Sequence, residues 1–338
     1  MGKTLCVTGA AGYIGSWLVK CLLQSGHTVH ATLRDPENAA KAGHLLSLPG
    51  AKERLRLFMA DLSEDGSFDA AISGCEGVFH LAMPLLFHSQ NPEEEIFEPA
   101  IRGTLNVLKA CVKAKSVRRV VYTSSISTVS AIGEDGKRIQ TVDETFWVSV
   151  DHVKAQKPNG WMYIVAKTLA EKEALKFARE HNIDMVTIIP VTVAGKFLTS
   201  TVPSSVRVLM SPVTGDTEYY ELAKAVELRL GCLALAHIED ICNAHMFLMD
   251  HQQQIAGERY ICCAHSCSIS NLRCLLSRHP DLKENSRENV QDQDGECLVQ
   301  VSSKKLMDLG FQYKHGIEEI FNDSIQSWKT ITSGIISN

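Results

Sequence analysis

The sequence predicts an α/β protein with a Rossmann-type, doubly wound parallel sheet and a smaller, irregular C-terminal cap. Two observations carry this prediction. Short apolar runs alternate with helical patterns through the first 190 residues, as in parallel sheets covered by helices on both faces. A glycine-rich turn also joins the first apolar run to the first helical pattern, which is typical of the start of a βαβ unit.

The predicted strands are short runs rich in valine, isoleucine and leucine: 4–8, 28–33, 55–59, 76–81, 118–123 and 184–189. The predicted helices lie between them, near 13–25, 37–47, 66–73, 92–114 and 160–181. Beyond residue 190 the alternation is lost, since the stretch 195–236 contains Pro203, Pro212 and Gly215 without a βα rhythm. A helix is expected again at 237–250. We therefore predict a sheet domain over 1–190, to which 237–250 returns, and a cap made of 191–236 and 251–338.

The glycine-rich turn contains Gly9, Gly12 and Gly15, and each glycine has a distinct use in a dinucleotide site. Gly9 permits the tight turn, Gly12 lets the backbone approach a pyrophosphate, and Gly15 lets the helix pack closely on the strand. The helix N-terminus then offers free N–H groups and a partial positive charge to the phosphates. The spacing alone is weak evidence, but its position between a strand and a helix predicts a nicotinamide dinucleotide site.

The end of the second predicted strand favours NADP(H) over NAD(H). An acidic residue at this point binds the ribose 2′-hydroxyl of NAD, whereas an arginine accommodates the 2′-phosphate of NADP. The residue here is Arg34, with Lys41 nearby, although Asp35 follows directly and makes the distinction less sharp. The alternative is that Arg34 and Lys41 are ordinary solvated surface charges.

Composition excludes several classes of function. The chain has 338 residues, 45% of them hydrophobic and 22% charged, which is ordinary for a globular protein. Its net charge of −5 gives no basic surface for nucleic acid. No apolar run is long enough to insert into a membrane. Because the predicted fold begins at Lys3, no signal peptide is expected. The sequence leaves the oligomeric state open, and a monomer is compatible with it.

The eleven cysteines are scattered through predicted strands and helices, where cysteine behaves as a small hydrophobe. We therefore expect free thiols, a reducing compartment and a cytoplasmic location. The densest group lies at 262–267 and is predicted to be a strand with a turn, because its ligands are too close together for a structural zinc fold. No metal is expected. His237, at the head of the helix predicted at 237–250, is expected to make a structural hydrogen bond.

Three side chains form a candidate catalytic group. Ser125 follows strand 118–123, at the carboxyl edge where α/β sheets bind ligands. Tyr163 and Lys167 stand four residues apart and share one face of the predicted helix 160–181. Carbonyl reduction needs a hydride and a proton, and a tyrosine is an effective proton donor when a nearby ammonium lowers its pKa. A serine hydroxyl holds the substrate oxygen and stabilises its developing charge.

The chain resembles the plant flavonoid-reductase branch of the extended short-chain dehydrogenase/reductases, from about residue 4 to 330. The resemblance rests on segments in the family's order: VTGAAGYIGSWLV, ATLRDPEN, ADLSEDGSFDAAI, GVFHLAMP, VVYTSS, GWMYIVAKTLAEK, NIDMVTIIP, HIEDICNAH, GERYICC and SSKKLMDLGFQYK. It implies NADPH as cofactor, Ser125 as the carbonyl-orienting residue, Tyr163 as the acid and Lys167 as its partner. It also implies these cofactor contacts: Gly9, Gly12, Tyr13, Ile14, Gly15, Arg34, Lys41, Asp61, Leu62 and Pro190.

The resemblance also implies a flavonoid-like small molecule in a pocket formed partly by the cap. The expected pocket residues are Met83, Phe87, Ile126, Ser130, Ile164 and Ala234. Two of them depart from the dihydroflavonol reductases of this family, since Ser130 replaces an asparagine and Ala234 a glutamine. Both replacements remove polar contacts that a site uses to select a substrate hydroxyl. Met83 stands where the family usually has a threonine, and this change favours a paralogue with a different substrate.

An anthocyanidin reductase, which forms a flavan-3-ol, is favoured by the Ser130 and Ala234 replacements, by the length of the stretch from Gly215 to His237 and by the segments LTSTVPSSV, LALAHIEDIC and RYICCA. The alternatives are a dihydroflavonol 4-reductase, which reduces a 4-ketone, or a paralogue that reduces another aromatic ketone or enone. A sugar-nucleotide epimerase would share serine, tyrosine and lysine but usually has an acid in place of Arg34. A non-catalytic NADP(H)-binding redox sensor is a further alternative, although both Tyr163 and Lys167 are present.

Overall fold

A computed structural model describes residues 2–84, 88–133, 136–277, 279 and 297–336, with side chains to residue 331. Within these ranges, seven strands form a parallel sheet in the order β3-β2-β1-β4-β5-β7-β10. They are β1 (Thr4–Thr8), β2 (Thr28–Leu33), β3 (Leu55–Met59), β4 (Gly77–His80), β5 (Arg119–Thr123), β7 (Met185–Pro190) and β10 (Arg259–Cys262). The predicted α/β class and doubly wound sheet are confirmed, and the first six strands match the predicted bounds within a residue or so.

Helices cover both faces of the sheet. One face carries α1 (Tyr13–Gln24), α2 (Ala39–Leu46) and α10 (Ile238–Asp250), and the other carries α4 (Asp69–Ile72), α5 (Glu98–Ala114) and α7 (Trp161–Glu180). Two short helices, α3 (Ala51–Arg54) and α6 (Val150–Gln156), lie in the connections. Because strand side chains alternate, Cys6 and Val7 of β1 enter different core clusters, one on each face.

The remaining elements lie outside the seven-stranded sheet and the helices that cover it. A three-stranded sheet contains β8 (Thr192–Ala194), β9 (Leu233–His237) and β11 (His265–Cys267), while β6 (Thr141–Val142) pairs with β12 (Gln300–Val301). The helices are α8 (Ser204–Thr214), α9 (Thr217–Leu230), α11 (Ile269–Ser277), α12 (Lys304–Asp308) and α13 (Ile317–Ile336).

The prediction of an irregular stretch at 195–236 is wrong, because α8 and α9 fill most of it. Its helix breakers mark boundaries: Gly215 ends α8 with φ of 75°, and the Asp216 side chain accepts from the Tyr219 N–H to cap α9. Pro212 lies inside α8, where a proline usually interrupts a helix. Glycine and proline are common both at helix ends and in loops, so these residues in the sequence do not distinguish the two.

The seventh strand, β10, also corrects the prediction, because its residues were assigned to the cap. β10 pairs in parallel with β7, from Arg259 opposite Thr187 to Cys262 opposite Pro190. Helix α10 packs against α1, β5 and β7. The next short apolar run, β10, can therefore extend the edge of the sheet beside β7. A four-residue strand gives too weak a periodic signal to be separated from the turn after it.

The strand order reverses between β1 and β4, and the loops after these two strands meet there. Gly9 adopts φ of +66°, and a Cβ on it would lie 3.0 Å from the Ala82 Cα. In open α/β sheets, ligands bind at such a switch point, beyond the carboxyl ends of the strands.

All eleven cysteines lie within the described residues, and all are free thiols. The strand and turn predicted for 262–267 are present, as the end of β10, two linking residues and β11. No helix in the described part of the chain is both long and apolar enough to cross a membrane.

Candidate active site

Ser125 and Tyr163 meet at the carboxyl end of β5. Ser125 precedes the short 3-10 turn Ile126–Thr128, and its hydroxyl accepts a hydrogen bond from the Ser127 N–H at 3.2 Å. Tyr163 lies in the first turn of α7, which begins after Gly160, a residue with φ of 77°. The Tyr163 and Ser125 hydroxyls share a hydrogen bond. The structure therefore brings together the predicted carbonyl-orienting residue and the predicted acid.

Lys167 lies one turn after Tyr163 on α7. Its ammonium donates to the Thr123 carbonyl at the end of β5, with an Nζ–O distance of 3.0 Å. The side chain is buried, and burial lowers the pKa of Lys167 to about 8, although the nearby Glu171 carboxylate opposes this shift. Lys167 is therefore the group of this site whose charge changes closest to neutral pH.

The expected lowering of the tyrosine pKa is wrong for this arrangement. Burial raises the pKa of Tyr163 above its usual value of 10, and the hydrogen bond from Ser125 only partly opposes that effect. The reason is that the Lys167 ammonium is held by the Thr123 carbonyl while the phenol lies in a poorly solvated site. A raised pKa keeps the proton on Tyr163 at neutral pH, which is the state that a proton donor requires.

A buried ion pair lies behind these residues, and the sequence-based prediction did not include it. Glu171 lies one turn after Lys167 on α7, and its Oε1 accepts from Arg259 Nε at 2.7 Å. Its other oxygen accepts a short hydrogen bond from the Ser124 hydroxyl. The spacing of four residues from Lys167 to Glu171 was a usable signal, because it places both charges on one helix face.

The glycine-rich turn has the shape expected of a phosphate site. A Cβ on Gly15 would lie 2.4 Å from the Gly9 carbonyl oxygen, so only glycine allows this approach. The N-cap of helix α1 is Gly12, so the helix has no capping side chain, and its first turn has no acidic residue. The Tyr13 hydroxyl is buried without a hydrogen-bond partner in the described residues, and Ile14 beside it is half-buried. The free positive end of α1 fits a dinucleotide phosphate.

The predicted adenosine contacts lie at neighbouring strand ends. Arg34 is exposed directly after β2, and Lys41 is exposed on α2. Asp61 and Leu62 follow β3, and hydrogen bonds from Ser63 lower the pKa of Asp61, with a further contribution from the Arg34 charge. The positive charge of Arg34 therefore acts on the Asp61 carboxylate. Asp61 stays ionised, so the local charge includes an acid beside the arginine.

The predicted pocket residues are only partly brought together. Met83 and Ile164 belong to one apolar cluster, which also contains Phe97. Pro190 is buried at the end of β7, the strand next to β5. Phe87 lies outside the described residues.

Ser130 and Ala234 lack free polar groups for a ligand. The Ser130 hydroxyl donates to the Ile132 carbonyl at 3.2 Å and accepts from the Ile132 N–H at 3.0 Å, so it is satisfied within its own turn. Ala234 is buried in β9 opposite Ser266 of β11. Ile126 is buried just after Ser125. Neither Ser130 nor Ala234 therefore supplies a free polar group at its position.

Two histidines and an acid near the start of α10 form a group whose possible ligand atoms lie within 4.8 Å of one another: His237, Glu239 and His315. The geometry does not suit a metal. His237 Nδ1 accepts from the Glu239 N–H at 3.3 Å, which leaves the ring hydrogen on Nε2 and removes its lone pair. The two imidazole rings stack with centroids 4.0 Å apart instead of converging on a point. His237 is the N-cap of α10, which confirms its predicted structural hydrogen bond.

Comparison with known proteins identifies the family. Residues 5–263 match the model of the NAD dependent epimerase/dehydratase family. The chain belongs to that family. It is 50% identical to a Ginkgo biloba protein provisionally named anthocyanidin reductase, over 97% of this chain and 94% of that protein. It is 44% identical to dihydroflavonol 4-reductase of Arabidopsis thaliana, over 96% of this chain and 82% of that protein.

A solved relative shares the fold along its whole length. Vestitone reductase from alfalfa superposes with a TM-score of 0.81 at 36% identity, covering 97% of this chain and 98% of that one. The family and the plant flavonoid-reductase branch predicted from the sequence are confirmed. The protein is therefore an oxidoreductase of the extended short-chain dehydrogenase/reductase type, with a nicotinamide cofactor and a small-molecule substrate.

Proposed function

We propose that this protein is an NADPH-dependent reductase that converts an anthocyanidin to a flavan-3-ol. The observation that carries the proposal is the hydrogen-bonded Ser125–Tyr163 pair, with Lys167 one turn away, in a chain 50% identical to a relative named for this activity. The satisfied Ser130 hydroxyl and the apolar Ala234 agree with a substrate that is not selected by a polar contact at these positions.

When bound, the nicotinamide cofactor would supply the hydride. The residues of this chain would orient the substrate and supply the proton. The Ser125 hydroxyl orients the substrate by one of its oxygens and, where a ketone is reduced, stabilises the negative charge that grows on that oxygen. Tyr163 remains protonated at neutral pH because burial raises its pKa, and its phenol donates the proton. The Lys167 ammonium, anchored on the Thr123 carbonyl, stabilises the phenolate that remains. The N-terminus of α1 would hold the diphosphate of the cofactor.

The choice of NADPH over NADH is proposed from charge. Arg34 is exposed at the end of β2, where an arginine accommodates a 2′-phosphate, and Lys41 adds a second exposed cation on the adjacent helix. Asp61 and Leu62 would lie beside the adenine, and Pro190 near the nicotinamide amide. A cytoplasmic location remains our prediction, based on the eleven free thiols.

A second candidate is the reduction of a dihydroflavonol 4-ketone. The 44% identity to the Arabidopsis dihydroflavonol 4-reductase favours it. The two reactions differ in their electron balance. An anthocyanidin cation becomes a flavan-3-ol by gaining two hydrides and one proton, whereas a 4-ketone becomes an alcohol by gaining one hydride and one proton. A paralogue acting on another aromatic ketone or enone would follow the second balance.

The deciding experiment is a substrate panel. Purified protein is given NADPH with cyanidin, dihydroquercetin, a flavanone or vestitone, and both NADPH consumption and product identity are measured. We expect turnover of cyanidin to a flavan-3-ol with two NADPH consumed per product. Turnover of dihydroquercetin alone, with one NADPH per product, would replace the first candidate by the second. Tight NADPH binding without turnover of any member of the panel would favour a non-catalytic role.

A further inference from the structure

Behind the candidate active site lies a buried ion pair between α7 and β10. Glu171 Oε1 and Arg259 Nε are 2.7 Å apart, and their side chains are 0% and 7% exposed. Desolvating two charges is costly, and a buried pair is often no more stabilising than apolar residues of similar size. A contribution to folding stability is therefore a weak explanation for this pair. The pair does, however, make contacts next to the candidate catalytic residues.

The first set of contacts reaches the backbone on both sides of Ser125. Glu171 accepts a hydrogen bond from the hydroxyl of Ser124, the residue before it. Arg259 donates from Nη2 to Thr128 Oγ1 at 3.1 Å, and the Thr128 hydroxyl donates to the Ser125 carbonyl at 3.0 Å. The ion pair thus fixes the short loop that carries the Ser125 hydroxyl.

The second contact is electrostatic and reaches Lys167. Glu171 lies one turn from Lys167 on α7, and its negative charge favours the ammonium against the effect of burial. Among the other groups that face Lys167, Tyr122 of β5 is a neutral phenol and His80 of β4 is neutral, since burial lowers the pKa of His80 to about 3. Tyr163 on α7 is also neutral.

On its far side, Glu171 faces the Arg259 cation at the start of β10. Beyond Arg259 lies Glu144, whose carbonyl accepts from Arg259 and whose carboxylate accepts from the Ile261 N–H at 2.7 Å. Glu171 is therefore the carboxylate that acts on Lys167 among the described groups.

We propose that Glu171 is a positioning residue of this reductase site: it fixes the Ser124–Ser125 backbone, and its negative charge keeps Lys167 in the ammonium form. The inference rests on the proposed function for its catalytic meaning. Its electrostatic part, however, concerns Lys167 alone and is measurable without any substrate.

The test is Glu171→Gln, which keeps an oxygen acceptor for Ser124 and removes the charge. Lysine ε-carbons are labelled with ¹³C, the Lys167 signal is assigned with Lys167→Met, and its pH titration is followed by NMR. We expect the midpoint to fall by roughly one pH unit, because a missing neighbouring carboxylate disfavours the ammonium. The alkaline limb of kcat/KM should move down with it, because the ammonium is then lost at a lower pH.

A matched control comes from the opposite end of the sheet. Asp184 pairs with the buried Arg119 at 2.8 Å, where β5 begins and not where it ends. Asp184→Asn should also lower the melting temperature but should leave the Lys167 titration and the pH profile unchanged. An equal shift of the midpoint in both variants would overturn the proposal, because it would show a general effect of lost ion pairs.

Because Glu171→Gln leaves Arg259 buried without its partner, a second variant protects the test against misfolding. Arg259→Met combined with Glu171→Gln removes both charges and keeps an apolar chain over the Trp147 ring, on which Arg259 now stacks at 3.5 Å. We expect the double variant to recover thermal stability while its Lys167 midpoint stays low. If the double variant recovers thermal stability and its Lys167 midpoint also returns to the wild-type value, the role of Glu171 is purely structural.

The two proposals fail in different ways. If wild-type protein reduces none of the flavonoids tested, the proposed function fails, whereas the NMR titration still judges the electrostatic role of Glu171. If the protein is an active reductase and the midpoint does not move in Glu171→Gln, only the positioning role fails.

Discussion

At the scale of single residues, Tyr163 and Lys167 have pKa values that burial shifts in opposite directions. Burial raises the pKa of Tyr163 and lowers that of Lys167 to about 8. Both shifts have the same cause, since a poorly solvated site disfavours the charged form of either group. The phenol therefore stays protonated across the physiological range, and the ammonium is the group that titrates.

The role of Tyr163 as proton donor is tested by Tyr163→Phe. We expect kcat to fall by about 10²–10⁴-fold, the range that positioned acids contribute, with NADPH affinity nearly unchanged. Steady-state rates and NADPH fluorescence titration measure the two effects. Tyr122→Phe is the matched control, because it removes a buried phenol from the adjacent strand, and it should retain activity. A fully active Tyr163→Phe would remove this residue from the mechanism.

The pH dependence of the reductase reaction should be set by Lys167. This lysine is protonated below its pKa of about 8 and loses its charge as the pH rises through that value. We therefore expect kcat/KM to decline above about pH 8, well before free tyrosine titrates near 10. A profile that stays flat to pH 10 would contradict the assignment of Lys167 as the required ammonium.

Arg34 is expected to decide between the two nicotinamide cofactors. Charge-assisted hydrogen bonds contribute about 1.5–3 kcal/mol, so Arg34→Asp should weaken NADPH binding by roughly 10–100-fold while changing NADH binding little. Arg118→Asp is a charge-matched control, since Arg118 is an exposed arginine just before β5, at the opposite edge of the sheet. Equal losses for both cofactors in Arg34→Asp would show that this residue does not face the 2′-phosphate.

At the scale of elements, the start of α1 is the part most tightly specified by local sequence. The chain turns at Gly9, and α1 then approaches β1 so closely that Gly15 has no space for a side chain. Elsewhere, a similar residue was misleading: Gly215 ends α8, although the sequence analysis took it, with Pro203 and Pro212, as a sign that 195–236 has no regular βα pattern. The difference is that α1 follows β1, whose run of apolar residues predicts a strand. No strand lies between α8 and α9, so the alternation of strands and helices does not mark where these two helices begin and end.

The packing role of Gly15 is tested by Gly15→Ala. The added Cβ would lie 2.4 Å from the Gly9 carbonyl oxygen, so we expect a loss of about 1–3 kcal/mol in unfolding free energy and weaker NADPH binding. Gly43→Ala in α2 is the control, because nothing lies within 4 Å of the position that its new methyl group would take, and the change should stabilise by about 0.5–1 kcal/mol. Urea denaturation measures both. A Gly15→Ala protein as stable as wild type would contradict the close approach.

At the scale of the whole molecule, the strand order gathers the site from distant parts of the chain. The turn after β1, the end of β5 and the N-terminal turn of α7 meet at the carboxyl edge of the sheet. The cap is joined to this frame through the buried Asp240 carboxylate of α10, which accepts from the Lys314 N–H at 3.0 Å and from the His315 N–H at 3.1 Å. Cofactor binding should therefore stabilise the folded chain as one unit.

We expect NADPH to raise the melting temperature more than NADH does at equal concentration. A ligand present at a hundred times its Kd adds about 2.7 kcal/mol to the unfolding free energy, so the tighter cofactor gives the larger shift. Differential scanning fluorimetry with each cofactor measures it. Equal shifts for NADPH and NADH would argue against the 2′-phosphate selectivity proposed for Arg34.

Local patterns were enough to predict six of the seven strands, the glycine turn and the candidate group Ser125, Tyr163 and Lys167, because each depends on short-range periodicity or on a few residues at fixed spacing. The packed structure was needed to show that β10 joins the sheet, that burial raises the pKa of Tyr163, and that Glu171 and Arg259 lie behind the site. These features depend on burial and on contacts between residues as far apart as Glu171 and Arg259. Burial from solvent and contacts between distant residues exist only in the packed chain. The spacing of residues along the sequence therefore does not predict them.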